Sequence, residues 1–389
     1  MTAFQRLAIL STLVALGACQ AVSYPTDEWT ESCRSATGKH LHQSSDSATE
    51  LLQDTLAQDG GSGISVAVAV NGVIVWSDAF GTANGVDPLT PAGRMRIGSV
   101  SKVFTAMIIA RLAERGKLDL DAPIETYLPN LPEHLRKITS RQLAQHMSGI
   151  RQYDFSSLRD SNNREYYPRL STAFARHMSD ALIAQPGEEY NYSSIGYNLL
   201  GIVAEQAYSG TYAEALQELI VEPLALTSTT LDNSHVHTPC RSRFFSLLLG
   251  RFKVKTMARD NSDLYPSGGI VSSAEDLARF ASSVLNGSLL LPESTEMIIR
   301  RVEKTDNDFD YGFGWQVAHT QPPQWVGHGG TINGAYASVR HYPCTNITVA
   351  AIANYDFVLT RKRAVFFAAV REELPTLFAA LDSCELTPD

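Results

Sequence analysis

The stretch Ile64-Ser65-Val66-Ala67-Val68-Ala69-Val70-Asn71-Gly72-Val73-Ile74-Val75-Trp76-Ser77-Asp78-Ala79-Phe80 decides the architecture of this chain. It consists of two apolar runs, Ile64 to Val70 and Val73 to Phe80, joined by Asn71-Gly72. Asn-Gly between such runs favours a two-residue turn with positive φ at both positions, so the segment reads as a β-hairpin. Two antiparallel strands therefore open a sheet. Just upstream, Thr49 to Ala57 reads as a short helix, and the fold is expected to start near Ala48.

Working outward, the pattern turns helical from Ser101 to about Leu226, with segments near Phe104 to Glu114, Ser140 to Met147, Ser194 to Ala207 and Tyr212 to Ile220. Gly116, Pro186-Gly187 and Gly210 punctuate them. Ser273 to Leu285 and Pro292 to Arg301 give two more helices. Strand-like runs return at Trp315 to Ala318, Ala335 to Val339 and Ile347 to Ala353, and an amphipathic stretch from Arg361 to Phe378 follows. Strands at both ends enclosing a helical middle predict an α+β fold. Its antiparallel sheet is built from both chain ends, with flanking helices and a helical subdomain inserted at about residues 101–260 of a domain spanning 48–380.

With 389 residues, 44% of them hydrophobic and 19% charged, the chain can bury a large core. A net charge of -9 offers no broad basic surface, which argues against nucleic acid as a partner. The N-terminus reads as an address. A lone Arg6 precedes the mostly apolar run Leu7 to Leu16, the length of a signal-peptide core and too short to span a bilayer comfortably. Leu16-Gly17-Ala18-Cys19 resembles the lipobox of bacterial lipoproteins, which implies acylation of Cys19 and a membrane-anchored periplasmic protein; ordinary cleavage near Ala18 or Ala21 is the alternative. Residues 1–19 are thus read as a signal peptide and 20–47 as a polar tether.

Export changes how the other cysteines are read. Cys33, Cys240, Cys344 and Cys384 make an even number for an oxidising compartment, so two disulfides are expected, with three connectivities open. None sits in a metal-ligand pattern, and no metal or other cofactor is expected.

The chemistry is expected at Ser99-Val100-Ser101-Lys102, which opens a helix after Gly98. Positions i and i+3 share a helix face, so hydroxyl and amine can meet. Of eight lysines, only Lys102 follows a serine at this spacing. A Ser-x-x-Lys match alone equally describes a helix cap followed by a solvated lysine. To act as a base Lys102 must be neutral, which at an ordinary pKa costs about 4 to 5 kcal/mol at pH 7, so burial or a neighbouring group must lower its pKa.

Further motifs follow in order. Tyr192-Ser193-Ser194 lies on a loop entering a helix, and Gly327-His328-Gly329-Gly330-Thr331 offers a histidine and a small-residue run whose N–H groups could face a ligand. Taken with His146-Met147-Ser148-Gly149-Ile150, Tyr265-Pro266-Ser267-Gly268-Gly269 and Tyr311-Gly312-Phe313-Gly314-Trp315, these segments resemble the serine β-lactamase-like and penicillin-binding superfamily. The likeness is to its class C branch, and within it to the mitochondrial serine β-lactamase-like proteins, which are regarded as peptidases. The resemblance implies Ser99 as nucleophile, Lys102 as its proton acceptor and Tyr192 as the second acid/base. It also implies an oxyanion hole from the N–H groups of Ser99 and Thr331, with Gly330 and Ser194 at the oxyanion and substrate-binding site and His328 binding a substrate carboxylate or tuning Tyr192.

Two departures bear on substrate. Ser194 stands where many β-lactamases have asparagine, and His328 where lysine would carry a permanent charge. Both favour a peptide-like or ester substrate over a β-lactam. A true β-lactamase or a cell-wall D-amino acid peptidase is the alternative within enzymes, and an inactive envelope scaffold the alternative outside them. Gly-x-Ser-x-Gly, Gly-x-Gly-x-x-Gly and P-loop patterns are absent.

Overall fold

The structure, a computed structural model, describes residues 29–154, 160, 165–249, 252–256, 259–302, 309–319, 324–358 and 364–379. Its main sheet has eight strands: β1 (Lys39–His40), β2 (Gly63–Val70), β3 (Val73–Gly81), β4 (Phe309–Tyr311), β5 (Gln316–Ala318), β6 (Val326–Ile332), β7 (Ala335–Tyr342) and β8 (Ile347–Ala353). The spatial order is β1-β3-β2-β8-β7-β6-β5-β4, and every neighbouring pair is antiparallel. The two chain ends meet where β2 pairs with β8. At the hairpin, Asn71 and Gly72 take φ of 51° and 82°, the conformation the Asn-Gly pair favours, and Val70 faces Val73.

The sheet is covered on both faces, which explains why β2 and β8 are almost wholly apolar. In β2, Ile64, Val66 and Val68 join one core while Ala67 and Ala69 join the other. In β8, Val349, Ala351 and Ala353 alternate in the same way with Ala350 and Ile352. One face packs against helices α1 (Ser45–Asp59), Ala364–Ala368 and Leu374–Phe378; the other packs against α4 (Ala274–Leu285). Beyond α4 lies the helical subdomain, organised on α2 (Ser101–Glu114) and α3 (Ser194–Tyr208). Phe104 of α2 stacks on Phe280 of α4 at 3.9 Å between centroids.

Several expectations need correction. The supposed tether 20–47 is, from Trp29 onward, part of the fold: Trp29 and Cys33 are buried, β1 pairs with Ser77 and Trp76, and α1 starts at Ser45. The polar composition hid this because a two-residue edge strand carries no periodicity. β6 falls on the glycine-rich segment and was expected only as a small-residue run. Short strands, Phe245–Leu248 and Phe252–Lys255 among them, also lie inside the insertion expected to be helical. Cys33 pairs with Cys240, and Cys344 is disulfide-bonded too. Cys384, the signal segment 1–19 and Cys19 lie outside the described residues.

Candidate active site

The site lies where β6 presses against the turn that starts α2. Gly98 opens a 3-10 turn, Gly98–Val100, with φ of 51°. A Cβ on Gly98 would sit 2.9 Å from the Thr331 backbone N, and one on Gly330 would sit 2.0 Å from the Ile97 carbonyl and 3.1 Å from the Ser99 N. Only glycine at both positions permits this approach. The contact brings Ser99 and Thr331 to one cleft wall, where their N–H groups can flank a developing oxyanion.

Lys102 Nζ lies 3.1 Å from Ser99 Oγ and donates to the Ser267 carbonyl at 2.8 Å. The lysine is fully buried, and among the described residues no carboxylate pairs with it. Desolvation therefore holds its pKa well below the ordinary lysine value. This is the direction of shift that a lysine base requires. Tyr192 hydrogen-bonds to the Ser99 side chain, and its ring centroid lies 4.9 Å from Lys102 Nζ. Burial raises the phenol's pKa, so Tyr192 holds its proton at neutral pH and can give it away. Ser193 follows as the N-cap of α3, its Oγ accepting from the Gly196 N–H at 2.9 Å.

His328 is present in the cleft but does not suit a carboxylate. Its Nδ1–H donates to the Gly329 carbonyl at 2.6 Å, and its Nε2 accepts from the Tyr311 hydroxyl at 3.0 Å. Burial, reinforced by Lys102, pushes its pKa down to about 3. A neutral ring with both nitrogens spent inside the protein offers no charge, so the carboxylate-binding role expected of His328 does not fit the geometry. What remains is support of the aromatic wall that also contains Tyr192, 6.5 Å away between ring centroids.

Ser194 lines the cleft beside Gln152. The Gln152 Nε2 donates to Ser194 Oγ at 3.3 Å, and its Oε1 accepts from the Ser194 N–H at 2.9 Å. An amide group thus stands at the place where the asparagine is missing, supplied from another loop. Sequence reasoning missed Gln152, although it lies two residues beyond the His146 to Ile150 segment. It also assigned no role to His146, which is fully buried between Tyr192 and Tyr311 at 4.3 and 4.7 Å. His146 Nδ1 accepts from the Ser193 N–H at 3.0 Å, and its carbonyl from the Asn191 N–H at 2.8 Å, which fixes the loop carrying Tyr192. Among the described residues no group of three or more His, Cys, Asp or Glu could hold a metal.

An antiparallel sheet closed by both chain ends, with a Ser-x-x-Lys turn wedged against a glycine-rich strand, is the architecture of β-lactamase and penicillin-binding folds. The chain belongs to the Beta-lactamase family, whose family model matches residues 48–369. It is similar to the serine beta-lactamase-like protein LACTB, mitochondrial, of Bos taurus, at 27% identity over 72% of this chain and 66% of that protein. The chain thus spans just under two thirds of that relative's length. Among solved structures, it is similar to a D-stereospecific amidohydrolase from Streptomyces sp. (25% identity, TM-score 0.70, 84% of this chain and 98% of that one). It is also similar to the octameric penicillin-binding protein homologue from Pyrococcus abyssi (25% identity, TM-score 0.69, 80% and 73%).

Proposed function

We infer that this family member hydrolyses peptide-like amides or esters through an acyl-enzyme on Ser99, in preference to β-lactams. The observation that carries the reading is Lys102 Nζ, buried with no carboxylate partner among the described residues and 3.1 Å from Ser99 Oγ. Ser99 Oγ attacks the substrate carbonyl carbon as its proton passes to Lys102. The oxyanion sits between the Ser99 and Thr331 N–H groups, an interaction of the kind that contributes about 10²- to 10³-fold per donor in acyl transfer. The carbon–nitrogen or carbon–oxygen bond then breaks as the Tyr192 hydroxyl protonates the leaving atom. Water attacks the acyl-enzyme and gives a proton to the Tyr192 phenolate, while Lys102 returns its proton to Ser99 Oγ as the acid leaves, so all three groups are restored.

The amide preference has two supports. A structural neighbour at 25% identity is named for D-stereospecific amidohydrolysis. The two groups that would best hold a β-lactam are changed: the strand cation is replaced by a neutral His328, and asparagine by Ser194. Gln152 supplies an amide beside Ser194, so the loss that counts is the strand cation: one charge-assisted contact, about 1.5 to 3 kcal/mol of transition-state binding, which is roughly ten- to a hundred-fold in kcat/KM. The test compares kcat/KM for activated esters and nitrocefin. Esters are expected to lead by at least that lower margin, and nitrocefin turnover near the diffusional ceiling would overturn the preference.

A further inference from the structure

Ser99 stands between two hollows of unlike charge. The first, of about 560 Å³, is lined by Gln152, Ser194, Asn333 and Asp356. The second, of about 380 Å³, is lined by Tyr192, His328, Phe367 and Arg371, and Ser99 and Thr331 border both. The charged side chains of these walls differ in what already satisfies them.

In the first hollow, Arg259 is engaged by Asp263 at 3.3 Å. Asp356 pairs with no cation among the described residues. Its Oδ2 accepts from the Gly334 N–H at 3.0 Å, while its Oδ1 is buried with no hydrogen-bond partner. A carboxylate oxygen left in that state costs free energy that an incoming donor would recover. In the second hollow, Arg371 donates from Nε to Ser338 Oγ at 2.9 Å, its one side-chain hydrogen bond among the described residues, and its guanidinium lies 4.0 Å over the Phe367 ring. It forms no ion pair among the described residues. Tyr342 fixes the backbone here by donating to the Arg371 carbonyl at 2.6 Å. Burial and the like charge of Arg340 lower the Arg371 pKa to about 10, so it remains a cation at neutral pH, in surroundings that favour an anion.

Building on the acyl-enzyme reading, we propose that the substrate is a short zwitterionic peptide, its free ammonium held by Asp356 and its free carboxylate by Arg371, with the scissile amide over Ser99. The polarity agrees with the chemistry of the site. Tyr192, the leaving-group acid, lies on the Arg371 side, and in a peptide the leaving amine is the part that carries the terminal carboxylate. The acyl part keeps the ammonium and stays in the Asp356 hollow. Hydrolysis breaks the C–N bond, the proton from Tyr192 goes to the departing nitrogen, and water supplies the oxygen of the new acid. Arg371 thus provides from the C-terminal helical segment the fixed positive charge that His328 does not.

The test measures protection of Ser99 from a fluorophosphonate probe by trialanine, in L and D forms, with free ends, N-acetylated, C-amidated or doubly blocked. Protection reads binding even where cleavage is slow. Free trialanine of one configuration is expected to protect at concentrations at least about tenfold lower than either singly blocked form, the size of one charge-assisted contact. In Asp356→Asn the penalty for N-acetylation should vanish while that for amidation persists; in Arg371→Gln the reverse, with Arg371→Lys restoring part of it. Thermal midpoints confirm that the variants fold, and each ratio is internal to one protein. Equal protection by free and blocked peptides, none by any peptide, or penalties unchanged in the variants would overturn the proposal with the acyl-enzyme reading intact. Failure of the probe to label Ser99 would instead remove the reading beneath it.

Discussion

The seam between the Ser99 turn and β6 and the walls of the cleft on either side of it are built by different rules. The seam is made of near neighbours in sequence and close backbone approach: Ser99 and Lys102 three residues apart, Gly98 and Gly330 allowing two backbones to touch. The walls are assembled from distant segments: Gln152 from one loop, Asp356 after the last strand of the sheet and Arg371 from the C-terminal helical segment. Reaction type is therefore written locally, and specificity is written in the tertiary assembly. Two relatives that share the seam can differ completely in the walls.

The largest expected effect breaks the seam itself. Gly330→Ala places a Cβ against the Ile97 carbonyl, which is backbone and cannot rotate away, so β6 must withdraw and the Ser99 and Thr331 donors must part. Loss of oxyanion binding should slow Ser99 acylation about 10²- to 10³-fold. The matched control is Gly329→Ala. Its Cβ meets the far end of Arg371, at 2.8 Å, a flexible group that can swing aside. Acylation by a small probe should then stay within a few-fold of wild type. Probe kinetics on both variants check the comparison, and equal slowing would erase the distinction between seam and wall.

The smaller effect concerns stability. His328, His341 and His146 are buried neutral, with pKa values of about 3, about 4 and well below the ordinary value, because burial penalises the imidazolium. Below pH 6.5 the unfolded chain takes up protons at these positions and the folded chain does not, so stability falls as pH drops from about 6.5 toward the folded pKa values. The loss should reach roughly 1 kcal/mol for each histidine by pH 5.5. Denaturant midpoints from pH 7.5 to 5 measure it, and His328→Gln should flatten the slope by its share. A slope unchanged in that variant would show that His328 takes up a proton in the folded protein much as it does in the unfolded chain, and the case for Arg371 as the cleft's cation would weaken.

The same division explains what the sequence disclosed. The hairpin was legible because Asn71-Gly72 encodes a turn within two residues, and the helix after Ser99 because apolar residues recur at its period. Ser99, Lys102 and Tyr192 could be picked out because each sits in a short motif. β6 was not legible as a strand: Gly327 to Gly330 has no alternating pattern, and pairing with β7 creates it. His328 was left between two roles because its charge depends on burial and on Lys102, which comes more than two hundred positions earlier in the chain. Asp356 and Arg371 carried no motif at all. Their significance comes from having no ion-pair partner among the described residues, and only three-dimensional neighbours decide that. Trp29 and Cys33 were read as tether for a like reason, since a disulfide to Cys240 and one short strand hold that segment down.

The central claim is that Lys102, neutral through burial, takes the proton of Ser99. The most direct measurement is the pH dependence of Ser99 phosphonylation by a fluorophosphonate, followed by intact mass and peptide mapping, in wild type and in Lys102→Ala. In wild type the adduct should map to Ser99, and its rate should rise with pH through an apparent pKa well below that of an ordinary lysine, levelling off once the amine is neutral. Lys102→Ala should fold, lose about 10³-fold in rate and lose that titration. An adduct on another residue, or a titration unchanged in Lys102→Ala, would contradict the account.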